Sequence, residues 1–111
     1  MPLISKIQTL PLPDDLAARL SHLQPSFSPK PPAPVADLYI GWFNDKPICA
    51  LWAIGEHDQR SLTQMAVHQA NRGRGVLAQF VQNVQSLERS AGRRVLSADN
   101  YQAIDQAEVS S

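Results

Sequence analysis

Polar and apolar positions change period several times along the chain, and each change marks an element. Residues 3–10 alternate weakly and predict a first strand, ended by Pro11 and Pro13. Asp14 is expected to cap a following helix, with Asp15 in its first turn. Leu16, Leu20 and Leu23 recur at helical spacing until Pro25. Residues 24–34 carry Pro25, Pro29, Pro31, Pro32 and Pro34 and read as an ordered loop or stiff spacer. In residues 37–43, Leu38, Ile40 and Trp42 share one face, with Tyr39 and Phe43 on the other. Asn44-Asp45-Lys46 signals a turn. In residues 47–55, Ile48, Ala50, Trp52 and Ile54 share a face, so the two runs predict a β-hairpin.

Residues 56–60 read as a polar connection and 61–67 as a third strand, ending on Met65 and Val67. A polar turn follows at 68–75. Val76, Leu77, Phe80, Val81, Val84 and Leu87 then mark the apolar face of a helix. Gly92 suits the left-handed position after its end. Residues 93–98 predict a last strand, and 99–111 read as a short helix or frayed tail. Two strands joined by a helix should pair in parallel. The expectation is a single α/β domain over 1–111, its mixed, mainly antiparallel sheet flanked by helices.

Composition narrows the function classes. The chain has 111 residues and a formal net charge of +0, so no whole-molecule attraction to nucleic acid or anionic membrane is expected. Any anion site must be local. The one cysteine, Cys49, rules out an internal disulfide and is expected in a core strand. No apolar run is long enough to span a bilayer and no secretory leader is visible, so a cytoplasmic location is expected. His22, His57, His68 and Cys49 lack metal-ligand spacing, and no metal is expected.

Chemistry concentrates where a strand passes through Arg72-Gly73-Arg74-Gly75-Val76-Leu77 into a helix. The first N–H groups of a helix have no internal partners and carry the positive end of its dipole. Glycine lets the backbone approach a ligand, and Arg72 and Arg74 add bidentate cationic donors. A pyrophosphate suits such a turn. Gly73 to Ala78 also satisfies G-x-G-x-x-G/A, with Asp99 after the next strand. A dinucleotide fold, however, needs more parallel strands than this chain offers.

The same segment resembles the acetyl-CoA pyrophosphate loop of the GNAT acetyltransferases, Q/R-x-x-G-x-G/A, and the element order resembles theirs. A closer resemblance is to the small PanZ (PanM) family of aspartate decarboxylase maturation factors. It is carried by Asp15-Leu16 through Pro25-Ser26-Phe27-Ser28-Pro29, by Tyr39 with Phe43-Asn44, by Leu62 and Val67, and by Arg72, Arg74, Gly75 and Val76. It spans about residues 4–99. The resemblance implies binding of acetyl-CoA or free CoA. Met65 and Val67 would meet the pantetheine arm through their backbone. Arg72, Gly73, Arg74, Gly75, Val76 and Leu77 would hold the pyrophosphate. Asn44 would face the partner, the aspartate decarboxylase precursor.

Three departures stand out. Leu77 replaces the small residue that ends the loop motif, where it could crowd the ligand. Trp42 stands where that family has an arginine. The chain stops soon after Asp99, so the fold is expected to be C-terminally shortened, and a homodimer is a plausible way to cover the open edge.

Proton-transfer candidates are Glu56, His57, His68 and Tyr101, with Tyr101 following the last strand. None forms a pair. Trp42 and Trp52 are expected to pack in the core, and Arg93 and Arg94 to be solvated or to meet a 3′-phosphate. The leading reading is a CoA-dependent regulator. The alternatives are a small N-acetyltransferase acting on an amine and a degenerate module that only mediates association.

Overall fold

The computed structural model describes residues 3–8, 12–24, 33–56, 58–68, 71 and 75–98. The elements are β1 (Ile4–Gln8), α1 (Asp14–Leu20), β2 (Leu23–Gln24), β3 (Ala36–Phe43), β4 (Lys46–Ile54), β5 (Arg60–His68), α2 (Val76–Ser90) and β6 (Val95–Ala98). Among the described residues the strands form one sheet in the order β1-β3-β4-β5, with β2 and β6 both on the outer edge of β5. Among the described residues only β6 pairs in parallel, as the strand–helix–strand rule requires. The remaining pairs are antiparallel. The expected mixed, mainly antiparallel sheet with flanking helices is what the chain forms.

Local chemistry explains the hairpin. Asn44 and Asp45 both take positive φ, 51° and 63°, which these two residues tolerate better than most. A two-residue loop of that hand matches the twist of the flanking strands. The first helix departs from expectation at both ends. Pro13, not Asp14, is its N-cap, and no side chain caps it. Asp14 and Asp15 instead lie in the first turn, where the dipole favours carboxylates. The helix stops at Leu20, and Leu23 leaves it to pair with His68 and become fully buried.

The sheet separates two apolar layers. α2 covers one face, where Leu77, Phe80, Val81 and Val84 meet Tyr39, Cys49, Leu51, Met65 and Val67. α1 covers the other, where Leu16 and Leu20 meet Leu38, Ile40, Ala50, Trp52 and Ala66. Cys49 and Trp52 are buried as expected, and Trp42 packs beside the second layer. Ile48 is on the α2 side rather than with Ala50 and Trp52. The pairing slips between Gly41/Cys49 and Trp42/Pro47, which makes Ile48 an extra residue and reverses its side.

Gly41 packs directly against Cys49 and the Phe80 ring of α2. A Cβ there would strike the Cys49 Sγ and come within 3.0 Å of the Phe80 ring. Gly41→Ala is expected to cost about 1–3 kcal/mol through overpacking. The urea unfolding midpoint checks it, and an unchanged midpoint would mean that the sheet–helix contact yields freely.

The end of α2 is held by charge. Its apolar face closes on Glu88 rather than Leu87: Leu87 is exposed, whereas Glu88 is fully buried. Arg60, expected in a polar connection, is buried as well and donates from Nε to Glu88 Oε1 at 2.6 Å. It also donates to Asp37 Oδ2 at 2.8 Å and to the Gly55 carbonyl at 3.1 Å. Tyr39 donates its hydroxyl to Glu88 Oε2 at 2.7 Å, and Arg93 Nε donates to the same oxygen. After the helix, Gly92 at φ 79° lets its own N–H reach the Arg89 carbonyl and that of Arg93 reach the Glu88 carbonyl. This is the glycine stop foreseen from the sequence.

The network has a pH signature. Burial alone would raise the Glu88 carboxyl, but hydrogen bonds from Arg60, Tyr39 and Arg93 outweigh it and hold the group below its ordinary 4.5. Burial, then the bond to Glu88, pushes the Tyr39 hydroxyl from 10.0 up to about 12. Glu88 therefore contributes stability that is present above pH 4.5 and is lost as pH falls further. The Tyr39 contribution is complete below pH 10.0 and is lost as pH rises towards 12. The urea midpoint should drop on both sides of that window, and one that stays flat to about pH 11 would contradict the alkaline limb.

Candidate functional site

β5 carries a local distortion. Ala50 pairs with Ala66 and Trp52 with Thr63, so β5 has one residue more than β4 across that step. Within the surplus, Gln64 takes φ 52°, a left-handed conformation unusual for glutamine. A bulge of this kind bends the strand and re-aims its backbone. On the outer edge, β6 pairs with Arg60 to Leu62 and β2 with Val67 and His68. Between them, Thr63 to Ala66 face no strand on that edge among the described residues. The bulge therefore sits inside a gap in the sheet edge. Met65 and Val67 bury their side chains under α2. The Met65 backbone lies in that gap, whereas Val67 is paired with Gln24 of β2, so the backbone contact expected at Val67 finds that edge taken.

β5 leads into the turn before α2. Gly75 is the N-cap at φ 77°, and no side chain caps the helix. A Cβ at Gly75 would meet nothing within 4 Å, so glycine serves the left-handed backbone here and the space above it is open. The first turn of α2 contains no acidic residue. The first N–H groups of the helix, with the positive end of the dipole, are thus offered without a competing carboxylate. A 470 Å³ cavity bordered by Asn71, Gly75, Val76 and Gln79 lies against them, with Leu3, Phe43 and Ile48 as its apolar wall.

The hairpin tip comes to the same end of the molecule. Asn44, Lys46, His68 and Asn71 line a neighbouring recess of 280 Å³. Asn44 is exposed there, and His68 is exposed at the end of β5. Leu77 is fully buried beside Phe80 and Val81, so its side chain points away from the turn and does not crowd it. Its backbone is buried with it, and Gly75 and Val76 are the residues here that keep exposure. Arg72, Gly73, Arg74, His57, Asp99 and Tyr101 lie outside the described residues. Arg93 and Arg94 lie beyond the opposite end of α2, about 20 Å along the helix from Gly75. One ribose separates a 3′-phosphate from its pyrophosphate, so the 3′-phosphate expectation for these two arginines does not hold for a ligand anchored at Gly75.

The bulge was not foreseen, although the sequence carries a trace of it. Leu62, Met65 and Val67 share the α2-side layer, and the three-residue step from Leu62 to Met65 breaks the period of two.

No protein-family model matches the chain, and no curated protein matches it. Solved structures do. A GNAT family acetyltransferase from Elizabethkingia anophelis, with acetyl-CoA bound, aligns at TM-score 0.61 and 12% identity over 86% of this chain. The E. coli N-acetyltransferase-type protein YhhK, bound to coenzyme A, aligns at TM-score 0.64 and 20% identity over 79%. A Bacillus subtilis acetyltransferase in complex with CoA aligns at TM-score 0.60 and 15% identity over 83%. The chain spans 63%, 70% and 61% of these three proteins respectively. These alignments give this chain the fold of the GNAT acetyltransferases.

Proposed function

We propose that this chain binds acetyl-CoA and acts as a regulator through a protein partner, the aspartate decarboxylase precursor, whose self-cleavage the loaded form promotes. The observation that carries the ligand reading is the uncapped, acid-free N-terminus of α2, opened by Gly75 at φ 77° beside the gapped edge of β5. These residues fit the group. A pyrophosphate needs convergent N–H donors, and the pantetheine amides need a strand edge with which to pair. Gly75 and Val76 would hold the diphosphate through their backbone, with Arg72 and Arg74 as charged partners. The backbone of Met65 and Ala66, between the β6 and β2 pairings on β5, would receive the pantetheine arm. When bound, acetyl-CoA supplies an acetyl thioester. CoA or acetyl-CoA in the solved neighbours supports this choice of ligand.

The regulator reading rests on the resemblance to the maturation factors. Asn44 sits exposed on the hairpin tip, at the same end as the Gly75 turn, where a partner could sense the loaded state.

Calorimetric titration with acetyl-CoA, CoA and NAD tests the ligand. Acetyl-CoA should bind and NAD should not. Binding of NAD alone would overturn the reading. Cleavage of purified decarboxylase precursor, followed with and without the loaded protein, tests the partner. Unchanged cleavage alongside acetyl transfer to an amine would make the chain a small N-acetyltransferase instead.

A further inference from the structure

The far end of α2 carries a second concave surface. Gln85, Arg89, Arg93, Arg94 and Val95 line a cavity of 490 Å³. The turn at Gly92 reverses the chain, so that Arg93 and Arg94 come back beside the last turn of the helix. That turn also satisfies the Leu87, Glu88 and Arg89 carbonyls with the N–H groups of Ala91, Gly92 and Arg93. The negative end of the helix is therefore capped, and guanidinium groups dominate the recess.

Arg93 is held in place before any ligand arrives. Its Nε donates to the buried Glu88 carboxylate, and its Nη2 donates to the Tyr39 hydroxyl at 3.3 Å. Only 19% of its side chain is exposed. A guanidinium fixed in this way loses little freedom on binding, and its Nη1 donors have no partner in the network. Glu88 and Asp37 balance Arg60 and Arg93. Arg89 and Arg94 stand outside that balance. Both are exposed, and neither pairs with a carboxylate among the described residues.

We propose that this cavity binds the phosphate group of a small organic phosphate, gripped by Arg89 and Arg94 with Arg93 as a fixed third guanidinium. Guanidinium forks match carboxylate and phosphate oxygens alike, but three of them around one recess exceed what the two oxygens of a single carboxylate can take, whereas a phosphate dianion presents three. The volume lies within the range of small-molecule pockets, and a recess favours a compact anion over a flat protein surface. The site is about 20 Å from the Gly75 turn and does not depend on what binds there.

The test is an amide chemical-shift titration with inorganic phosphate at constant ionic strength, with chloride as the control anion. Saturating shifts are expected at residues 85–95. R89E/R94E should weaken that response by about tenfold or more, since each charge-assisted contact is substantial. Its shifts at Gly75 to Ala78 and its unfolding midpoint should match the wild type. R89Q/R94Q provides the same reading should charge reversal impair folding. Arg93 is left intact because it holds Glu88. Shifts that do not saturate, that chloride reproduces, or that persist in both variants would overturn the site. A response to a glutamate-rich peptide but not to phosphate would also overturn it, and would make this surface a docking site for acidic protein.

Discussion

Glu88→Ala is expected to lower stability by about 3–5 kcal/mol, the usual cost of removing one partner from a buried ion pair. Arg60 is 2% exposed and would lose the carboxylate that receives its Nε. Arg93 and Tyr39 would lose the same acceptor. A domain of this size has about 5–15 kcal/mol in total, so the variant should unfold at markedly lower urea or be largely unfolded in buffer. Glu88→Gln separates charge from volume. It keeps the shape but leaves two arginines facing a neutral amide, and it should also destabilise.

Asp37→Asn is the contrast. It too meets Arg60, but its side chain is 43% exposed, where water screens the pair, and about 1 kcal/mol or less is expected. If both Glu88 variants unfold no earlier than Asp37→Asn, the network does not anchor α2. The anchor bears on function because it fixes one end of the helix whose other end forms the Gly75 turn.

R72E/R74E is expected to weaken acetyl-CoA binding more than tenfold while leaving the urea midpoint near that of the wild type. Each charge-assisted contact to a phosphate is worth roughly 1.5–3 kcal/mol, and reversal adds repulsion to the loss. Both arginines belong, in sequence, to the segment between β5 and Gly75. Calorimetry on the double variant decides it. Unchanged affinity would mean that the ligand is not held at this turn. A lost midpoint would mean that the arginines serve folding first, and that the binding loss cannot be assigned to the phosphate.

Much of the architecture was legible because its signals are local. Asn44 and Asp45 can take left-handed φ between two period-two runs, and that specifies a hairpin without reference to the rest of the chain. Leu77, Phe80, Val81 and Val84 recur at helical spacing, and Gly92 stops the helix through bonds within a few residues of itself. The Gly75 turn was legible for the same reason, since the left-handed backbone that it needs is one glycine adopts without steric cost.

What the tertiary structure decided depends on partners distant in sequence. Whether Ile48 faces α2 depends on how β3 opposes β4, because a slip of one residue reverses a side chain. The bulge at Gln64 exists only as a mismatch between β4 and β5. Leu23 left the helical period because the edge of β5 offered pairing and burial. Arg60 reads as part of a polar connection, and no local signal marks Glu88 for burial. They can enter the core only together, across 28 positions of chain, because a charge taken out of water must find its counter-charge there.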